Sequence, residues 1–149
     1  MGGVTYFSGE TPPGSVRPAM VHEAHWRPEF YSPEPDSTRY QVDQALEIAD
    51  RYGGRQLLFL FVNISATHVP YGHYLNSGSD SIDSQAAALA YADAYIGRLL
   101  DGLSSHGRWL VMMCADQRDA YGDDGYHGRG IAHSAVFNVP TPLGCTIDR

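Results

Sequence analysis

The chain contains no lysine: its ten basic residues are all arginine, set against seventeen acidic ones. A formal net charge of −7 with so few cations leaves no basic face for a phosphate backbone, which excludes nucleic acid as a partner. Cysteine is scarce as well. Cys114 and Cys145 have no metal-type spacing, and Cys114 lies in an apolar run, so reduced core thiols are expected. Long apolar runs are missing: Leu57 to Val62 and Trp109 to Cys114 both fall far short of the roughly 20 residues that cross a bilayer, so no membrane partner is expected. The first fifteen residues hold no basic segment leading into an apolar one, so they do not read as a secretory leader, and a cytoplasmic location is expected. No internal repeat is visible.

What is present suits one globular domain. The length of 149 residues, with 43% hydrophobic and 18% charged, is enough to bury a core. Residues 1–36 are rich in Pro, Gly and Ser but also carry Tyr6, Phe7, Trp26, Phe30 and Tyr31, which marks an irregular covering segment rather than a linker. His22 and His25 in this segment read as hydrogen-bonded or solvated histidines rather than metal ligands. An α/β core is expected over 37–140, followed by a tail over 141–149.

Within that core, Asp36, Ser37 or Thr38 can cap a helix running to about Tyr52, with Val42, Ala45, Leu46 and Ala49 as its apolar stripe. A second helix is expected from about Ile82 to Ser104. Two uninterrupted apolar runs, Leu57–Val62 and Trp109–Cys114, have the pattern of strands buried on both faces, and a third strand is expected over Ala135–Val139. Helix and strand alternate with short connections, which predicts a parallel, right-handed arrangement. In such sheets ligand chemistry gathers beyond the carboxyl ends of the strands. Asp116 stands there after the second run, and His68 after the first.

The stretch after Asp116 is dense in metal-capable groups. Asp116 and Gln117 offer oxygens suited to Mg²⁺ or Ca²⁺, whereas His133 offers a nitrogen that Zn²⁺ or Mn²⁺ prefers. The loop is not an EF-hand, because Tyr121 falls where an oxygen ligand is required. Gly125–Gly130 follows an acidic loop rather than a strand, so it is no dinucleotide fingerprint. Asp123 and Asp124 read as turn formers.

Several blocks in order carry a resemblance. Ala115-Asp116-Gln117, followed by Ala120 through His133, resembles the late metal-binding motif of sulfatase-like hydrolases in the alkaline phosphatase superfamily. Phe61 to Tyr71, with His68-Val69-Pro70, is similar to that family's His-x-Pro segment, and Asp83 to Asp93 resembles the helix between them. Gly2 to Phe7 looks like an internal stretch of one bacterial branch. The resemblance implies a three-layer αβα fold with a mainly parallel central sheet, and a metal-dependent hydrolase of small sulfate or phosphate esters. The divalent cation would be Mn, Zn, Mg or Ca. Asp116, Gln117 and His133 would be metal ligands, and His68 would contact the sulfate or phosphate group.

The departures from that pattern are specific. Gln117 and Arg129 replace two nitrogen ligands. Arg129 is then a candidate for holding the ester's oxyanion, and His127, two residues earlier, a candidate for the missing nitrogen. Nothing before Leu57 reads as the strand that carries the family's nucleophile, so no catalytic nucleophile is assigned. The alternative is a non-catalytic remnant or interaction subunit with a degenerate metal site. A sheet lacking that strand would have an uncovered edge open to a second copy or a partner chain.

Overall fold

A computed structural model describes residues 21–139 and 143–148. The Gly2–Phe7 block and most of the N-terminal covering segment lie outside them. The chain divides into two compact units, Met1–Gly107 and Arg108–Arg149.

The first unit is built on two helices. Helix α1 (Ser37–Tyr52) buries Val42, Ala45 and Ala49 of the expected stripe and Ile48 in addition, whereas Leu46 is half-buried. The same side also buries Ser37, Thr38, Gln41 and Gln44, an unusually polar interior. Gln41 explains how part of that interior is tolerated. Its Nε2 donates to the Asn63 carbonyl at 2.7 Å and its Oε1 accepts from the Ser65 N–H at 3.3 Å, while Ser65 Oγ donates to the Phe30 carbonyl at 2.7 Å. A buried amide with both ends bonded avoids the penalty of an unsatisfied polar group.

Helix α2 (Ile82–Ser104) starts at a capping box. Ser84 N–H donates to Ser81 Oγ at 3.1 Å, and Ser81 N–H donates to Ser84 Oγ at 2.8 Å. Its buried residues are Ser84, Ala88, Ala92, Leu99 and Leu103, a narrower stripe than the apolar face read from sequence, since Leu89 is exposed. Leu46 of α1 sits so close to Gly102 that a Cβ there would fall within 2.3 Å of Leu46 Cδ2. An ion pair between Arg98 and Asp43 at 2.6 Å and one between His106 and Asp50 at 2.9 Å link the same two segments.

Between the helices the expected strand is missing. Leu57–Val62 belongs to no sheet; Leu57 is 102% exposed, Phe59 84% and Phe61 50%, whereas Leu58, Leu60 and Val62 are half-buried. A continuous apolar run records a preference for burial, yet burial on both faces needs neighbouring strands and covering helices, which sequence periodicity does not supply. The chain then turns through a cis peptide between Val69 and Pro70 into a short 3₁₀ turn, Gly72–Leu75.

The second unit holds strands β1 (Trp109–Met113), β2 (Ala120–Asp123) and β3 (Tyr126–Gly128), the short helix α3 (Ser134–Phe137) and strand β4 (Leu143–Ile147). These strands form two separate two-stranded sheets. β1 pairs antiparallel with β4, Trp109 opposite Ile147 and Met113 opposite Leu143, and β2 pairs antiparallel with β3. The three-layer αβα fold with a parallel central sheet is therefore not what the chain forms. Its second strand, β1, takes an antiparallel partner from residues read as a tail. One face of β1 is open, with Leu110 and Met112 about 70% exposed. The third expected strand, Ala135–Val139, begins instead as α3. Cys114 and Cys145 are free but exposed, so they are not core thiols.

The hairpin β2–β3 was written in the sequence as a turn signal rather than as strand periodicity. Asp124 (φ 50°) and Gly125 (φ 82°) are its two loop residues, and a two-residue hairpin turn with both φ positive favours Asp-Gly. Gly122 forms a bulge between the paired residues Tyr121 and Asp123. Ala120, Ala135 and Val136, with Ile131 packed against them, form the small core of this unit.

Candidate functional site

The acidic loop folds into a pocket of about 350 Å³ lined by Arg118, Asp123, Asp124, His133, Ser134, Ala135 and Asn138. Its walls come from the β2–β3 hairpin and from the start of α3. His133 caps that helix: its Nδ1 accepts from the Ala135 N–H at 3.1 Å. An amide can only donate, so the ring proton sits on Nε2, which reaches Asp124 Oδ2 at 3.1 Å. The Tyr126 ring stacks against the imidazole with centroids 5.2 Å apart. Beside it, the Asp123 carboxyl is held below the usual carboxylate range. The main cause is the Tyr121 N–H donating to Asp123 Oδ2 at 3.0 Å, with Arg118 and His133 adding to it.

Arg129 is also committed. Its Nε donates to Asp119 Oδ1 at 2.8 Å and its Nη2 to Asp119 Oδ2 at 2.7 Å, a bidentate fork around a carboxylate only 6% exposed. This is the geometry by which Arg129 was expected to grasp a sulfate or phosphate, with a side chain of the same unit in the anion's place. Asp119 had no assigned role in the sequence reading, and the ten-residue separation of the pair carries no local signal.

The remaining candidates stand apart from this pocket. Asp116, Gln117 and His127 are exposed and none of them lines it. Among the described residues no group of three or more His, Cys, Asp or Glu side chains is placed to hold a metal ion. The arrangement does not fit a cation held by Asp116, Gln117, His127 and His133 together. His133 has one ring nitrogen occupied by a backbone amide and the other by a carboxylate.

His68 lies in the first unit and is set up differently. Its Nδ1 lies 2.9 Å from the Val69 carbonyl, which can only accept, so the proton is on Nδ1. Ser32 Oγ donates to the same carbonyl at 2.8 Å and stands 3.3 Å from Nδ1. In the neutral ring Nε2 is then the acceptor nitrogen, and it makes no hydrogen bond among the described residues. A ring anchored this way presents a lone pair, the arrangement of a ligand or a base. A sulfate or phosphate oxygen needs a donor instead, so His68 would meet one only when doubly protonated. The loop that follows is tied down by Asp80, whose Oδ1 accepts from the Tyr71 N–H at 2.6 Å and the Gly72 N–H at 2.9 Å.

In the covering segment, His25 Nε2 donates to Glu23 Oε2 at 3.0 Å, the hydrogen-bonded state expected for it. The Tyr52 hydroxyl donates to the same carboxylate, and together they lower its pKa. Comparison with known proteins adds nothing further, since no family model, no curated protein and no solved structure matches this chain.

Proposed function

We propose that this chain works as an interaction subunit rather than as a catalyst on its own. The observation that carries the reading is the Leu57–Val62 segment. Its outward side chains are exposed, and the backbone of Leu57 to Leu60 makes no hydrogen bond among the described residues. Apolar side chains and unpaired backbone together form a template for another polypeptide. Two commitments in the second unit support the same reading: Arg129 is engaged by Asp119, and His133 by Asp124 and the Ala135 amide.

The metal-dependent ester hydrolase is the second reading, favoured by one observation, the free Nε2 lone pair of His68. Calorimetric titration with Mn²⁺, Zn²⁺, Mg²⁺ and Ca²⁺, paired with turnover of aryl sulfate and aryl phosphate esters, separates the two. The interaction reading expects no turnover above that of Asp116→Ala. Stoichiometric metal binding and turnover that both vanish in Asp116→Ala would replace it with the hydrolase.

No helix among the described residues is long and apolar enough to cross a membrane.

A further inference from the structure

We infer that the occupant of the Leu57–Val62 segment is a second copy of this chain, paired antiparallel to it about a two-fold axis at Phe59. The inference rests on the interaction reading above and names its partner. Exposed and half-buried residues alternate from Leu57 to Val62, the period of an extended chain, in which successive residues point their N–H and C=O to opposite edges. On the odd-numbered edge the Asn63 carbonyl and the Ser65 N–H are bonded to Gln41 of α1, and Phe61 and Asn63 keep further partners of their own. On the even-numbered edge Leu58 and Leu60 make no hydrogen bond among the described residues. One edge is thus held by the fold, and the other is open.

The residue pattern selects the register. Residues directly opposite in an antiparallel pair share a face, so the exposed Leu57, Phe59 and Phe61 must oppose exposed residues. Centring the axis on Phe59 puts Leu57 against the partner's Phe61 and Phe59 against its own copy. Leu58 and Leu60 then exchange backbone hydrogen bonds. Arg55, the nearest charge, falls opposite the neutral Asn63, so no like charges meet across the ladder. A one-residue slip would place exposed Phe59 beside half-buried Leu60. The segment from Gln56 to Asn63 has no charge, Pro or Gly, the composition of strands that pair with themselves. A two-fold pairing closes on itself and stops at a dimer. Each copy carries a net charge of −7, so association should tighten as salt screens the repulsion.

The test uses the full chain with Cys114→Ser and Cys145→Ser. At a non-hydrogen-bonded antiparallel position Cα atoms lie about 4.5 Å apart, within disulfide reach, so Phe59→Cys should cross-link to itself under mild oxidation. Leu57→Cys should not, because two copies of residue 57 lie about 13 Å apart in this register. Sedimentation should show a concentration-dependent dimer, weakened about tenfold or more by Phe59→Glu, which sets like charges face to face. Equal cross-linking of both cysteine variants, or of neither, overturns the proposed pairing. A chain that stays monomeric at all concentrations also overturns it. In that case an apolar fluorescent dye bound by the parent and lost in Phe59→Glu leaves the interaction reading standing, and no dye difference removes that reading too.

Discussion

Removing Arg129 should unfold the second unit. Its guanidinium makes two charge-assisted hydrogen bonds, at 2.8 and 2.7 Å, to a carboxylate whose side chain is 6% exposed. In Arg129→Ala the Asp119 carboxylate stays inside without its counter-charge, a loss of about 3–5 kcal/mol. The unit has only about 40 residues, a size at which one core rarely contributes more than about 3–5 kcal/mol. Its core of Ala120, Ala135, Val136 and Ile131 is small even for that length. The loss therefore equals or exceeds what the unit holds. The chain has two tryptophans, Trp26 in the first unit and Trp109 in the second. With Trp26→Phe as background, Trp109 fluorescence reports the second unit alone during denaturant unfolding. Arg129→Ala should abolish its transition. Arg129→Lys, which keeps the charge and loses the fork, should weaken it. Replacing both partners by apolar residues, Asp119→Leu with Arg129→Met, should restore most of it, because no charge is then stranded. An Arg129→Ala transition within about 1 kcal/mol of the parent, or a double variant worse than the single, would refute the reasoning.

Three more outcomes follow from the same structure. Ser81→Ala should destabilise α2 by about 1 kcal/mol, read by thermal unfolding, since it removes half of the capping box. Gly72→Ala should lower stability by about 1–3 kcal/mol because the new Cβ would sit 2.7 Å from the Ser77 carbonyl oxygen, whereas Gly97→Ala, with open space around it, should raise stability by about 0.5–1 kcal/mol. The Tyr74 phenol is pushed up to about 12, chiefly by burial, so the fold favours its neutral form. Stability should hold through neutral pH and fall once pH passes about 10, where the unfolded phenol ionises. Tyr74→Phe should remove part of that alkaline loss in a pH series of thermal melts, and no lysine titrates in the same window to mask it.

Much of the local structure was legible in the residues. The two long helices span the residues expected of them, because helix signals act within a few residues of one another, although the Asp36 side chain makes no capping bond and the buried stripe of α2 is narrower than its apolar residues. Asp124 is legible as a turn former on the same grounds, but the hairpin that it closes with Gly125 is not.

Pairing was not legible. The run Leu57–Val62 and the run Trp109–Cys114 looked alike, yet the first belongs to no sheet and the second pairs antiparallel with Leu143–Ile147. The side chains near the candidate site stand out by their chemistry, but most of their partners lie nine or more residues away. Arg129 meets Asp119, His133 meets Asp124, and His68 is oriented by Ser32 and the Val69 carbonyl. Composition and periodicity determine which residues prefer burial, a turn or a charge partner. Only the tertiary arrangement decides which partner each one obtains, because hydrogen-bond geometry and loop closure operate between residues that the order of the chain leaves apart.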